Sequence, residues 1–118
     1  MKIQDTEFGS ITVDGKTYQH DVAVLLSGEV IKRKRKLSKT LYGTSHTISK
    51  DEAKYVYEKG CDKLILGTGQ EGNVKLSPEA AEYFAKKGCE VVAKPTPEAI
   101  RDYNMSKTAN VGLFHVTC

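Results

Sequence analysis

The chain has 118 residues, 39% of them hydrophobic and 28% charged, which fits a single domain over 1–118 with an unstapled core and excludes a disordered, collagen-like or coiled-coil chain. No apolar run approaches the roughly 20 residues of a membrane span, and Met1-Lys2-Ile3-Gln4-Asp5 has no apolar leader core, so a cytoplasmic location without a membrane partner is expected. The net charge is +3, yet Lys32, Arg33, Lys34, Arg35, Lys36 and Lys39 lie within one eight-residue stretch; the remainder is mildly acidic, which excludes a protein basic over its whole surface.

Along the chain, Ile11 and Val13, then Asp14-Gly15, then Thr17-Tyr18-Gln19-His20, predict a β-hairpin over 10–20, because the Asp-Gly pair supplies the positive φ that a tight hairpin turn needs. Val22-Ala23-Val24-Leu25-Leu26 reads as a strand buried on both faces. After the Ser27-Gly28 turn, residues 29–36 read as a returning strand and 37–48 as irregular. Ser49 with Glu52 three residues on forms a capping box, opening a helix near 50–59 with Ala53, Val56 and Tyr57 inward and Gly60 as its stop. Lys63-Leu64-Ile65-Leu66 is a short buried strand leading into a glycine-rich loop. Ser77-Pro78 caps a second helix, near 78–87, with Ala81, Phe84 and Ala85 inward. Strand 90–94 follows. Thr96-Pro97 then starts a third helix, near 97–105, with Ala99, Ile100 and Tyr103 inward. Apolar residues on both alternation faces of 111–116 predict an interior strand. The second half thus alternates helix and strand, as parallel sheets do, and the first half is antiparallel. The expected fold is α/β and three-layered: a mixed central β-sheet, helices on one face, and an N-terminal antiparallel hairpin portion.

Several strings now align with a known pattern: Phe8-Gly9 before the hairpin, Asp21 leading the buried strand, Leu66-Gly67-Thr68-Gly69 after the middle strand, Thr96-Pro97-Glu98-Ala99 with Tyr103-Asn104, and Leu113-Phe114-His115-Val116-Thr117-Cys118. In this order and spacing the whole chain resembles a small family of archaeal and bacterial α/β proteins of unknown biochemical function. Its eukaryotic relatives include an adipogenesis-associated protein and a mitochondrial assembly factor for respiratory complex I. The resemblance implies a three-layer mixed-sheet fold and no established activity. Relatives carry an arginine shortly before the last strand where this chain has Thr108-Ala109-Asn110, and a tryptophan in the region of Lys32 to Lys36.

Residues 67–72 read GTGQEG, formally the dinucleotide-binding pattern. The next helix opens only at Pro78, and Lys94-Pro95 stands where an acidic ribose partner belongs, so no nicotinamide or flavin cofactor is expected. Glycines at the carboxyl end of a parallel strand can still aim amides at an anion. Gly67, Thr68, Gly69 and Gln70 are therefore the candidate ligand-binding residues, with Thr96 on the same rim and Asn104 carried by the resemblance. His20, His46 and His115 lack metal-ligand spacing, so no metal is expected, and His115 reads as a satisfied core histidine. His46 shares a polar loop with Thr44 and Ser45, without a nucleophile elbow or partner acid. A Cys118–His115 dyad is disfavoured because strand alternation points them to opposite faces. The three cysteines make no CxxC pair, so neither a disulfide framework nor structural zinc is expected, and Cys61 and Cys89 read as small buried residues. On a strand, Lys32, Lys34 and Lys36 share one face and the arginines the other. This splits the charge, and no aromatics interleave to stack bases. Lysine prevails over arginine and glutamine is scarce, a bias that leans towards a heat-adapted source.

No complete catalytic set emerges. The reading is a non-enzymatic binding or assembly module with an unknown protein partner. The first alternative is a small-molecule or anion binder, or an enzyme, built on 67–72. The second is a nucleic-acid or other polyanion binder using Lys32, Lys34 and Lys36.

Overall fold

A computed structural model describes residues 3–118. The expectation that the chain has no leader rests partly on Met1 and Lys2, which lie outside the described residues. Strands β1 (Ile3–Glu7), β2 (Ser10–Val13) and β3 (Lys16–Tyr18) form an antiparallel three-stranded sheet. The β2–β3 turn has φ +48° at Asp14 and +84° at Gly15, the conformation that the Asp-Gly pair predicts. A five-stranded mixed sheet follows, built from β4 (Val22–Val24), β5 (Val30–Lys32), β7 (Lys63–Thr68), β9 (Glu90–Lys94) and β10 (Asn110–His115) in the order β5-β4-β10-β7-β9. Here β7 runs parallel to β9 and β10, and β4 antiparallel to β10 and β5. β10 is interior, as its apolar residues on both faces require. Short strands β6 (Thr47–Ile48) and β8 (Lys75–Leu76) pair with each other.

Side-chain alternation sorts the core into two layers. On one face Ala23, Leu64, Leu66, Val111 and Leu113 pack with Ala53 and Val56 of α2 (Lys50–Val56) and Ala80 and Phe84 of α3 (Pro78–Lys86). On the other, Val22, Val24, Ile65 and Phe114 meet Ile3, Ile11 and Val13 of the hairpin sheet and Ala99 and Ile100 of α4 (Thr96–Met105). The three-layer mixed-sheet architecture stands, with α4 sharing the hairpin layer. α3 buries Ala80 and Phe84, while Ala81 and Ala85 are exposed; the inward face begins one residue earlier than the sequence pattern indicates. Cys61 and Cys89 are buried free thiols, hydrogen-bonded to each other with their sulfurs 3.4 Å apart. Burial and the contact with Cys61 push the Cys89 thiol up to about 12.

The stretch 29–48 departs most from expectation. The strand stops at Lys32, and Lys36–Tyr42 forms a short helix, α1, closed by Gly43 at φ +71°. Arg33, one position past the strand, continues the inward face of Ile31 and is buried. Among the described residues, no helix is long and apolar enough to cross a membrane.

The layering yields a contrast that can be measured. Phe114, wholly buried against Tyr103 at a ring separation of 5.8 Å, and Phe8, 66% exposed, should respond oppositely to truncation. Phe114→Ala should cost about 3–5 kcal/mol, and Phe8→Ala less than about 0.5 kcal/mol. Urea unfolding midpoints read both, and equal losses would contradict this arrangement of layers.

Candidate functional site: a buried charge cluster at the strand ends

Register assembles the cluster. Val22 pairs with Lys32 on one side and with Phe114 on the other. One position further along, Arg33, Asp21 and His115 therefore stand in a row across β5, β4 and β10, and His115 pairs onward with Thr68 of β7. By alternation these positions continue the face of Ala23 and Leu113. The apolar layer under α2 thus ends in polar side chains, at the carboxyl ends of the parallel strands, where α/β sheets place their ligand sites.

Arg33 is 3% exposed, Asp21 5%, Glu52 0% and His115 1%. A buried guanidinium survives only if its donors are met. Arg33 Nε and Nη2 reach the two Glu52 oxygens at 2.5 and 3.1 Å, a bidentate fork. Nη1 donates to Asp21 Oδ2 at 3.0 Å, and Nη2 also donates to the Ser45 carbonyl at 2.6 Å. Half-exposed Arg35 lies 3.8 Å from Asp21 and donates to Ser45 Oγ at 3.1 Å, so two arginines balance two carboxylates. Ser38 Oγ of α1 donates to Glu52 at 2.5 Å and accepts the Ser49 amide at 2.9 Å. The capping box is thus half as expected. Ser49 Oγ does accept the Glu52 amide, at 3.1 Å, but the Glu52 carboxylate serves Arg33, and Ser38 caps Ser49 in its place. Among the described residues, every buried side-chain nitrogen or oxygen has a partner.

Asp21 also accepts the Val116 amide at 2.9 Å and lies 2.7 Å from His115 Nδ1. Burial alone raises the Asp21 carboxyl, but the His115 and Val116 hydrogen bonds and the nearby positive charge outweigh it and hold the group at about 2. Since the carboxylate accepts, Nδ1 of His115 carries a proton, and this bond turns Nε2 to the other side of the ring. His115 is the satisfied core histidine that its strand predicts. Beyond it lie half-buried His46 and Cys118. Cys118 Sγ is 3.7 Å from His46 Nε2, and the ligand-type atoms of His46, His115 and Cys118 all lie within 4.8 Å of one another. The expectation that Cys118 and His115 diverge fails because β10 ends at His115: alternation no longer governs Cys118. Histidine spacing along the chain gives no sign of this proximity, since His46, His115 and Cys118 arrive on different segments or beyond a strand end.

The other candidates fall elsewhere. Gly67 and Thr68 belong to β7 and not to a loop. The Gly69 amide donates to Thr96 Oγ1 at 2.9 Å, and that hydroxyl donates to the His115 carbonyl at 2.6 Å. Thr96 is therefore a bridge within the fold and not the expected helix cap. The amides of Gln70, Gly72, Asn73 and Val74 donate to carbonyls of the chain, and the Gln70 side chain donates to Thr6 Oγ1 and the Glu7 carbonyl. Asn104, eight residues along α4 and so about 12 Å from Thr96, pairs with both the N–H and the C=O of Ile3. Thr96 joins the 67–70 segment and Asn104 does not. Lys32 ends β5, Lys34 follows it and Lys36 opens α1, all three exposed; the two-faced strand is replaced by a strand end, a buried arginine and a helix.

Residues 3–113 match the family described as "Protein of unknown function (DUF498/DUF598)". The chain belongs to that family. Among solved structures it is similar to a conserved hypothetical protein of Pyrococcus horikoshii OT3, with 34% identity, all of both chains covered and a TM-score of 0.92. It is similar to the protein MT938, with 29% identity, 99% and 98% coverage and a TM-score of 0.86. A Mth938-like domain of Bordetella pertussis shares the fold at 20% identity, 98% and 85% coverage and a TM-score of 0.62. The family thus has no assigned activity, and function must be argued from this chain's own geometry.

Two measurements check the cluster. Arg33→Ala, which strands two buried carboxylates, should cost about 3–5 kcal/mol, whereas the adjacent Lys32→Ala should cost less than about 0.5 kcal/mol. Because folding lowers the Asp21 carboxyl from 3.8 to about 2, its stabilisation of about 2 kcal/mol is complete above about pH 4 and is lost as pH falls through 2. A carboxyl ¹³C titration should place the Asp21 midpoint near 2; a midpoint near 4 would remove the claim.

Proposed function

We propose that the protein is a non-enzymatic binding or assembly module that docks an acidic, apolar-bearing segment of a partner protein on α1. One observation carries the reading. Leu41 is 64% exposed beside a groove of about 280 Å³ lined by Lys36, Leu37, Thr40, Leu41 and Asp51. Lys36 and Lys39 on α1, and Lys34 just before it, are exposed. An apolar patch rimmed by charge of one dominant sign fits a partner helix or strand with an apolar anchor and carboxylates around it. With Arg33 buried, Arg35 drawn to Asp21 and Ser45, and Lys34 set over the Tyr55 ring at 4.9 Å, the exposed cations left on the helix that carries Leu41 are Lys36 and Lys39, a sparse pair that suits a protein partner better than a phosphate backbone. The assembly-factor relative that the sequence resemblance implies points the same way. A ligand site at Gly67–Gln70 has less support, because amides there already donate within the chain.

The test is a ¹⁵N chemical-shift titration with a synthetic glutamate-rich peptide carrying leucines, against the same peptide with the leucines replaced by serine, and against duplex DNA at physiological salt. Shifts confined to residues 34–42 and to Asp51 are expected with the leucine peptide alone. Leu41→Asp should weaken that binding at least about fivefold. Binding of DNA as tight as of peptide, or peptide binding indifferent to Leu41→Asp, would overturn the reading in favour of a polyanion binder.

A further inference from the structure

We propose that His46, His115 and Cys118 form a mononuclear site for a divalent transition metal of the zinc type, with two imidazole nitrogens and one thiolate as protein ligands and a fourth position open to solvent. The inference is independent of the docking surface on α1 and rests on four observations.

The first is distance. Ligand atoms on a tetrahedral zinc, with Zn–N near 2.0 and Zn–S near 2.3 Å, stand about 3.5 Å apart along an N–S edge. Cys118 Sγ and His46 Nε2 are 3.7 Å apart, and the ligand atoms of the three residues lie within 4.8 Å of one another. Contraction of a few tenths of an ångström to about one ångström closes such a set around an ion.

The second is the partner behind the ligand. A metal-bound histidine characteristically donates its other ring N–H to a carboxylate, which fixes the tautomer and raises the basicity of the ligating nitrogen. Asp21 does this for His115, with Nδ1 to Oδ2 at 2.7 Å. Arg33 and the Val116 amide hold Asp21 in turn. Nε2 of His115 lies 3.1 Å from the Thr117 hydroxyl, a contact that a cation would replace.

The third is that the ligand backbones are anchored before any ion arrives. The His46 carbonyl accepts the Lys75 amide at 2.9 Å, and its own amide donates to Thr44 Oγ1 at 3.1 Å. The Cys118 carbonyl accepts the Asn73 amide at 3.1 Å. The neighbouring Ser45 carbonyl is held by Arg33.

The fourth is the close approach at Gly69. A Cβ there would stand 2.5 Å from the Cys118 carbonyl carbon and 2.8 Å from His115 Cδ2. Only a residue without a side chain lets the segment after β10 fold back and bring the thiol to the two rings, and φ +106° at Gly69 favours glycine as well. The glycine-rich stretch thus has a role in shaping this site that does not require its amides.

The donor chemistry selects the ion. Imidazole and thiolate suit zinc-like metals and exclude magnesium and calcium, which take oxygen ligands. Binding forms one metal–sulfur and two metal–nitrogen bonds, and the Cys118 thiol proton leaves to solvent. No redox step is involved.

The experiment uses the full chain, stripped with a chelator under a non-thiol reductant and titrated with Zn²⁺ against a competing chromophore, and in parallel with Co²⁺. One equivalent of Zn²⁺ should bind with submicromolar affinity, undisturbed by excess Mg²⁺. Co²⁺ should give a thiolate-to-metal charge-transfer band and the visible bands of a tetrahedral ion. Bound Zn²⁺ should also protect Cys118 from maleimide. Cys118→Ala and His46→Gln, both at half-buried positions where folding should survive, should each weaken Zn²⁺ binding about 100-fold or more and abolish the charge-transfer band, whereas His20→Gln should change neither. Circular dichroism of each variant confirms that it is folded. Absence of stoichiometric binding to the wild type would overturn the proposal. So would Zn²⁺ affinity retained in folded Cys118→Ala, or a cobalt spectrum without the thiolate band.

Discussion

The Arg33 guanidinium, buried between Asp21 and Glu52, is the constraint on which the rest of this end of the molecule depends. A charge taken out of water carries a desolvation penalty of several kcal/mol, so Arg33 can lie there only while its partners hold position. Those partners come from four separate places: Asp21 at the head of β4, Glu52 in α2, the Ser45 carbonyl before β6, and His115 at the end of β10 through Asp21. Fixing Arg33 therefore fixes the meeting point of a central strand, an edge strand, a helix and a loop. Replacement by a well-packed hydrophobic set could match its stability, so the cluster is better understood as setting position than as adding net energy. It determines where the 44–48 segment runs and which way the His115 ring faces.

The same constraint explains why the expected strand stops at Lys32 and α1 stands where irregular chain is expected. With Arg33 pulled under α2, the chain can no longer continue along the sheet edge. Ser38 then completes the connection by bonding Glu52 and the Ser49 amide, which ties a seven-residue helix to the core although most of its surface is in water. An isolated helix of that length does not hold itself together. Its order comes from this polar attachment, and that attachment leaves Leu41 outward beside the lysines. The exposed face on α1 and the buried charge cluster are thus two consequences of the burial of Arg33.

How much of this was legible in the sequence depends on the range of the forces involved. The hairpin was, because Asp14-Gly15 is a local signal, and so was the alternating second half, because Ser49, Ser77 and the apolar stripes act within one or two turns of chain. The interior position of β10 followed from residues on both of its faces. The course of the basic run is not legible, because alternation cannot reveal that one of five consecutive cations is paired with Glu52, nineteen residues away. The two arginines among the lysines are the available hint, since arginine is the residue suited to buried bidentate pairing, but nothing in the run says which of them is buried. Glu52 was seen, but as a cap: the box motif accounts for its place at the third helical position and says nothing of where its carboxylate points. Strand direction points to the rim of the sheet, but the approach of His46, His115 and Cys118 there is not legible in the sequence, because spacing rules for metal or catalytic sets describe ligands on a single element and these three meet only through tertiary structure.

The roles of Gly69 and Thr96 show how a local motif and a long-range one can coincide. GTGQEG has the appearance of an anion cradle, and its glycines do allow a close approach, but what approaches is the chain itself. Thr96 Oγ1 receives the Gly69 amide and gives its proton to the His115 carbonyl, thereby stitching β7, the start of α4 and the end of β10 at one point. The bond fixes the His115 backbone on one side, and Asp21 fixes its ring on the other. A histidine held at both backbone and Nδ1 has one ring nitrogen left, and the Thr117 hydroxyl stands 3.1 Å from it. The His46 ring meets the His115 ring edge-on at 5.5 Å, and Cys118 Sγ lies 3.7 Å from His46 Nε2, so three residues of separate segments converge at the point where strand alternation has ended and only tertiary structure can place them.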